Sequence, residues 1–354
     1  MQKVDQESIE KGMNQRSAII DLAKGVLILL VLLGHSIQYA TGKEYMSSGA
    51  FYDHWLFKLI YGFHMPCFMV ISGYLFSFAV ESKSVWEILM SKIRTLIVPI
   101  FSFALIVWLL QFHADYSFMD QIRSFLSCTR FTLWFLWALF YCSMGVLVVN
   151  RIAKDNLIVY LLLIIGSFLT PDKWYSELYK FMFPCFLFGY FVHKNNWIEV
   201  FKKNVKVIAC VASALYVLAM FVYYNTDTYV YMSGSCILKE GTIAWQQLFV
   251  NVYRTLVGIC GSMAFMSVLY LIFNRLNSEG KLVQYLTVLG VMTMGIYCFQ
   301  NYFWMLYVDY VTWYVEPAFV NQLLVFVVSL TVSCVLTWLV SRVRVLNLLF
   351  LGGR

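Results

Sequence analysis

Residues 19–35 read IIDLAKGVLILLVLLGH, an apolar run with Asp21 and Lys24 near its start and His35 at its end. A bilayer core of about 30 Å calls for about 20 apolar residues in helical form, because a helix satisfies its own backbone polar groups. Residues 19–40 meet that requirement. Lys24 and His35 stand eleven residues apart. At about 100° and 1.5 Å per residue they share one helix face and lie about 16 Å apart along it. Ionisable side chains inside a span cost several kcal/mol, so they persist where they face an interior and have a partner or a task. One helix thus carries a cation near its start and a proton-transfer group near its far end.

The rest of the chain places that helix among many. Of 354 residues, 61% are hydrophobic, 18% aromatic and 13% charged, and the mean hydropathy is +0.72. That balance is too apolar for a soluble domain. It predicts an all-α, polytopic integral membrane helical bundle. Apolar segments place about ten transmembrane helices near 19–40, 56–79, 95–113, 132–149, 157–169, 180–193, 207–224, 248–273, 283–303 and 320–340. The domain reading is a polar N-terminal tail at 1–18, a membrane domain at 19–345 and a C-terminal tail at 346–354. The first eighteen residues are mixed in charge and no small-residue cleavage site follows, so no cleavable signal peptide is expected.

An even number of spans puts both termini on one side. Seventeen Lys or Arg fall in the tails and loops of that side, against eight on the other. Cytoplasmic loops carry the basic excess, so both termini are read as cytoplasmic. The net charge of +7 then reflects topology and requires no nucleic-acid partner. Lys24, Lys92 and Arg94 lie at the cytoplasmic rim on this reading, with His35 and His64 in the outer half of the core. The nine cysteines show no metal-ligand spacing, and most sit in apolar runs as small hydrophobes. No metal is expected. Cys128 and Cys236 are the pair placed on the outer face, where a bridge is chemically permitted.

The second helix carries His64, Pro66 and Ser72-Gly73. Pro66 removes a backbone donor and is expected to bend the helix, while Ser72-Gly73 lets another helix approach closely. Arg254, one turn after Asn251, lies in the outer part of the eighth helix, where a buried arginine needs a partner. Each of these has a plainer reading. His64 also suits a brace for the bend, Lys24 a snorkelling cation, Asp21 a salt-bridge partner for Lys24, and Lys92 and Arg94 a topology signal. Tyr297 and Gln300 also suit packing polar groups.

Five segments together resemble the membrane acyltransferase-3 family, the bacterial sugar O-acyltransferases. Ile20-Asp21 with Lys24 and His35 is similar to that family's first helix, a basic residue followed after ten residues by histidine. Phe63-His64-Met65-Pro66 with Ser72-Gly73-Tyr74 resembles its second. Lys92-Ile93-Arg94 through Pro99 is similar to its basic entry to the third helix, and Leu133-Trp134-Phe135-Leu136 to a recurring Trp-Phe-Leu segment. Gly290 through Ile296-Tyr297 resembles its late Gly…Ile-Tyr segment. The likeness spans about residues 16–345. Two departures stand out. Gln300 occupies a position that is often histidine, and Lys92/Arg94 compresses a pair of arginines usually three apart.

The resemblance implies transfer of an acyl group, most often acetyl, from cytoplasmic acyl-CoA to a hydroxyl of a cell-envelope carbohydrate. The enzyme would be multi-pass in the bacterial cytoplasmic membrane, with acyl-CoA as co-substrate and no bound cofactor. The residues fit this independently. Lys24, Lys92 and Arg94 supply cations for the phosphates of acyl-CoA. An imidazole titrating near 6.5 can take a hydroxyl proton at neutral pH, so His35 is the expected general base, with Asp21 read beside it as catalytic. A covalent acyl-imidazole at His35 is the alternative chemistry that the same residue permits. His64, Ser72, Asn251, Arg254, Tyr297 and Gln300 are the expected acceptor-binding residues. Outer loops at 41–55, 113–131, 225–247 and 304–319 are read as setting acceptor choice, with Tyr116, Tyr229, Tyr231 and Trp245 as stacking or interface aromatics. A flippase or transporter of a lipid-linked saccharide remains the alternative by composition. It has no need of the Lys24/His35 pair or of a basic cytoplasmic rim.

Overall fold

A computed structural model describes residues 2–111, 115–131, 133–276, 280–311 and 314–353, without the side chains of residues 2–17 and 131. The side chains of Lys3, Lys11 and Arg16, and Arg354, therefore lie outside the described residues. The chain is an all-α membrane bundle. Among the described residues the only sheet is a short antiparallel hairpin, β1 Leu238–Lys239 with β2 Thr242–Ile243.

In chain order the helices are α1 Gln2–Tyr39, α2 Lys43–Ser48, α3 Trp55–Tyr61, α4 His64–Ser82, α5 Val85–Lys92, α6 Val98–Leu110, α7 Phe118–Phe131 and α8 Trp134–Ala153. They continue as α9 Leu157–Leu169, α10 Ser176–Lys194, α11 Trp197–Lys203, α12 Val205–Val222, α13 Val230–Ser233, α14 Trp245–Phe273, α15 Lys281–Tyr310, α16 Ala318–Arg342 and α17 Arg344–Leu351. Eight stretches among the described residues are long and apolar enough to cross a membrane. The two expected spans outside that set form α9 and α10. At 13 residues, α9 reaches only about 20 Å, and α10 carries Glu177, Lys180, His193 and Lys194. These two are consecutive in the chain, so counting them or not leaves the direction of every other span unchanged.

The chain divides into two compact units. The first comprises Met1–His64, Phe201–Val217 and Gly261–Thr337. Its axis is the pairing of α1 with α15. Leu22 packs with Val283 and Phe273 at one end, and Ala40 with Trp304, Tyr307 and Val325 at the other. Both partners' numbers rise together, so the two helices run parallel. Their backbones touch where neither has a side chain. A Cβ on Gly25 would lie 1.9 Å from the Leu286 carbonyl oxygen, and one on Gly290 1.7 Å from that of Asp21. Small residues at a crossing let membrane helices gain packing contacts that larger side chains would hold apart.

The second unit comprises Met65–Val200, Leu218–Cys260 and Trp338–Arg354. Here α4 and α10 approach in the same manner, at Gly73 against Phe186 and at Gly189 against Val70. Further along, Phe78 and Glu81 both meet His193, so these helices are also parallel. The turn after α8 is locked by Asp155, whose buried carboxylate accepts from Asn150 Nδ2 at 2.7 Å, Tyr160 OH at 2.7 Å, Tyr190 OH at 3.0 Å and the Lys194 ammonium. That cluster returns the end of α10 to the side of the α8–α9 turn. A buried carboxylate is tolerated when this many donors replace its water.

Two local expectations differ from the structure. The break in the second span falls at Gly62–Phe63, between α3 and α4, and Pro66 sits in the first turn of α4. A proline there removes a donor that has no intrahelical acceptor anyway, so it starts a helix and does not bend one. The third span begins at Val85 and not near 95: Ser84 and Glu87 form a reciprocal capping box at its start. α5 then passes through one π-helical turn at Ile93–Ile97 into α6. All nine cysteines are free, Cys128 and Cys236 among them.

Candidate active site

His35 lies ten residues, just under three turns, up α1 from the Gly25 crossing and faces α15. Its Nδ1 is 2.8 Å from Gln300 Oε1. The amide NH2 of Gln300 donates to the Tyr297 carbonyl one turn back, at 3.3 Å. That bond orients the amide so that its oxygen faces the imidazole. An amide oxygen only accepts, so His35 Nδ1 carries the proton and Nε2 keeps its lone pair. Gln300 is fully buried, and its amide cannot itself take a proton at ordinary pH. It fixes a ring and a tautomer.

Two aromatics complete the surroundings of that ring. Tyr39 lies with its ring centroid 5.8 Å from that of His35, and Trp304 meets His35 edge-on at 6.3 Å. Tyr39 and Trp304 are themselves 5.6 Å apart. The Trp304 indole Nε1 is buried with no hydrogen-bond acceptor among the described residues. The apolar run weakens after residue 303, so the sequence alone places Trp304 in an outer loop. In the structure α15 continues to Tyr310 and puts Trp304 one turn beyond Gln300, at 3% exposure.

On the other side of α1, Gly34 admits Tyr61, whose ring a Cβ would meet at 2.6 Å. Tyr61 in turn packs edge-on against His64 at 4.7 Å. His64 is buried, and its Nδ1 donates to the Ile60 carbonyl at 2.8 Å, just where α3 stops. Its Nε2 is therefore also the basic nitrogen. Gly34 thus joins the two histidines through a single tyrosine ring, all within the first unit.

Asp21 and Lys24 form an ion pair of 2.7 Å, each about a quarter exposed or less. Asp21 lies fourteen residues before His35, about 21 Å along the helix, so the structure joins it to Lys24 and not to His35. In the second unit, Lys92 is half-buried with its ammonium 4.7 Å from the Phe76 ring centroid. Arg94 is exposed on the π-helical turn and makes no hydrogen bond or ion pair with described residues. Ser72 is half-buried on α4, likewise without a hydrogen bond.

Asn251 and Arg254 are drawn into a cluster of their own. The Arg254 guanidinium donates to the Gly234 carbonyl at 2.6 Å, to Ser233 Oγ at 3.2 Å and to Asn251 Oδ1. Asn251 Nδ2 donates to the Ser235 carbonyl at 2.7 Å. Sequence reasoning missed the partner that completes this clasp. Asp172, in the α9–α10 turn, accepts from the backbone of Ser235 and Cys236, from Ser235 Oγ and from Lys180 Nζ, all at 2.7–2.9 Å. Burial alone would raise the pKa of Asp172. The hydrogen bonds from Lys180, Ser235 and Cys236 outweigh it and hold the carboxyl below the ordinary aspartate range. Arg254 and Asn251 are thus tied to the 233–236 loop, and Arg254 Nε, at a residue 3% exposed, has no partner among the described residues. Among the outer aromatics, Tyr229 is buried against Tyr224, whereas Tyr116, Tyr231 and Trp245 are exposed.

A family model described as an acyltransferase domain matches residues 17–341, nearly the whole chain. The nodulation protein NolL of Mesorhizobium japonicum is 27% identical over 300 residues, 83% of this chain and 78% of that relative. NolL of Sinorhizobium fredii is 29% identical over 238 residues, 64% of this chain and 63% of that relative. No solved structure matches the chain. The five sequence segments, a multi-pass helical bundle and a match across its length agree: this chain belongs to the membrane acyltransferase-3 family, and it is an acyltransferase.

Proposed function

We propose that the chain moves an acyl group, most simply acetyl, from cytoplasmic acyl-CoA to a hydroxyl of a cell-envelope carbohydrate in the bacterial cytoplasmic membrane, with His35 as general base. The observation that carries this is the His35–Gln300 hydrogen bond of 2.8 Å. It holds the proton on Nδ1 and presents Nε2 as an acceptor, as a base for a hydroxyl requires. In the reaction, Nε2 takes the acceptor's proton while its oxygen attacks the thioester carbonyl. The new C–O bond forms, the C–S bond breaks, and the imidazolium returns the proton to the departing thiolate. The charge that gathers on the carbonyl oxygen needs a donor. The Trp304 indole N–H, unsatisfied among the described residues, is a group beside His35 that can donate to a substrate oxygen.

The donor end of the reading rests on charge and topology. Lys24, Lys92 and Arg94 are the cytoplasmic-rim cations for the phosphates of acyl-CoA. Asp21, which pairs with Lys24 at 2.7 Å, keeps that ammonium oriented. Acceptor contacts are assigned to His64, Ser72, Tyr297 and Arg254, the last through its free Nε. In this reading Gln300 acts on the acceptor through His35.

Removing the cations tests the donor half separately from the chemistry. Lys24→Ala, and Lys92 and Arg94 changed to Ala together, are expected to weaken acetyl-CoA binding by about 1–3 kcal/mol per lost charge-assisted contact, roughly 5- to 150-fold. Calorimetry on purified protein reads this directly, and the KM for acceptor should move little. Unchanged affinity in all of these variants would reduce the three residues to topology signals.

A further inference from the structure

Among the described residues Arg94 is exposed and makes no ion pair, yet its guanidinium is not left in open space. It lies against the segment that follows α17. Gly352 and Gly353 both have left-handed backbones, with φ of 71° and 75°. That geometry turns the chain sharply at the end of the helix and closes it with a bond from Gly353 N–H to the Asn347 carbonyl at 3.0 Å. A Cβ on Gly352 would lie 2.6 Å from the Thr95 Cα, and one on Gly353 2.2 Å from an Arg94 terminal nitrogen. The turn is anchored from the other side as well. Leu351 is buried, and Phe350 packs edge-on against Phe103 of α6 at 5.0 Å. The surface it meets is the π-helical turn at Ile93–Ile97, a rare irregularity that often marks functional positions because it re-aims one side chain. All of these residues belong to the second unit.

We propose that the Gly352–Gly353 turn is a positioning element for Arg94: its side-chain-free backbone forms a seat on which the guanidinium lies, aimed at the anionic end of the acyl donor. The inference rests on the reading of Arg94 as a donor-binding residue. The two glycines act differently. Gly352 faces backbone, so any side chain there lifts the whole turn off the π-helical segment. Gly353 faces only the far end of a flexible side chain, so a methyl group there displaces the guanidinium rather than the turn, at the cost of strain in the left-handed backbone. Arginine holds phosphate through a planar fork, and its donors lose their alignment when the plane is pushed aside.

Gly353→Ala is therefore expected to raise both the Kd for coenzyme A, by calorimetry on the full chain, and the KM for acetyl-CoA, roughly tenfold. The kcat at saturating acetyl-CoA should stay close to the parent value, and the melting temperature should fall only by what the left-handed strain at residue 353 costs. Gly353→Asn, which tolerates a left-handed backbone, should give the same result if the alanine variant folds poorly. In an Arg94→Ala background, Gly353→Ala should add no further loss, because the group it displaces is gone. Coenzyme A affinity unchanged in Gly353→Ala and Gly353→Asn but weakened in Arg94→Ala would overturn the seat and leave the role of Arg94 intact. An equal penalty with and without Arg94 would also overturn it. Unchanged affinity in Arg94→Ala alone would remove the underlying reading of Arg94, and the seat with it.

Discussion

His35→Ala is expected to lower acyl transfer by about 10²–10⁴-fold, the contribution of a well-placed general base, in a protein that still folds and still binds acyl-CoA. Folding should survive because His35 is half-buried and its side chain makes one hydrogen bond, to Gln300. Binding should survive because the cations assigned to the donor lie elsewhere, Lys24 about 16 Å along the helix. Gln300→Leu offers the sharper companion. It leaves the imidazole in place but removes the acceptor that holds the proton on Nδ1. The wrong tautomer then competes for the ring, so kcat should fall while the KM for acetyl-CoA stays level. A His35→Ala protein with full activity would end the base assignment.

Gly290→Val should have the largest effect on the protein as a whole. The first carbon of the new side chain would sit 1.7 Å from the Asp21 carbonyl oxygen, which belongs to helix backbone and cannot swing away. Either α1 and α15 separate or the variant does not accumulate. Forced overpacking costs typically 1–3 kcal/mol, and a backbone clash of this depth belongs at about 3 kcal/mol or above. Separation also withdraws Gln300 from His35, since both sit on these two helices. Where the variant can be purified, its kcat should fall with its stability. A Gly290→Val protein with parental melting temperature and activity would show that the crossing is not as described.

The membrane class, the first helix and the family were legible because they rest on local signals. A run such as 19–40 announces a span by composition, and a cation with a histidine eleven residues beyond it is a pattern within one helix. The close approach at Ser72-Gly73 was likewise readable, and Gly73 does meet Phe186 across 1.9 Å of imagined Cβ. What the sequence hid are pairings across long separations. Gln300 is 265 residues from His35, and nothing near either reports the other. Gln300 was therefore read as a sugar contact, while the structure spends its amide oxygen on an imidazole. The clasp of Asp172 onto Ser235 crosses 63 residues between two loops, and it fixes the loop on which the Arg254 guanidinium rests. The break at Gly62–Phe63 was assigned to Pro66 because proline is the stronger local signal. Trp304 was missed because aromatic residues past an apolar run read as interface.

The most direct test uses sealed, oriented vesicles containing the protein, with radiolabelled acetyl-CoA supplied only to the cytoplasmic face and cell-envelope carbohydrate supplied only to the other. The account predicts that label passes into the carbohydrate while coenzyme A stays on its own side, and that His35→Ala vesicles transfer none. Transfer that requires both substrates on the cytoplasmic face would contradict the through-membrane geometry. Transfer that persists in His35→Ala would contradict the chemistry.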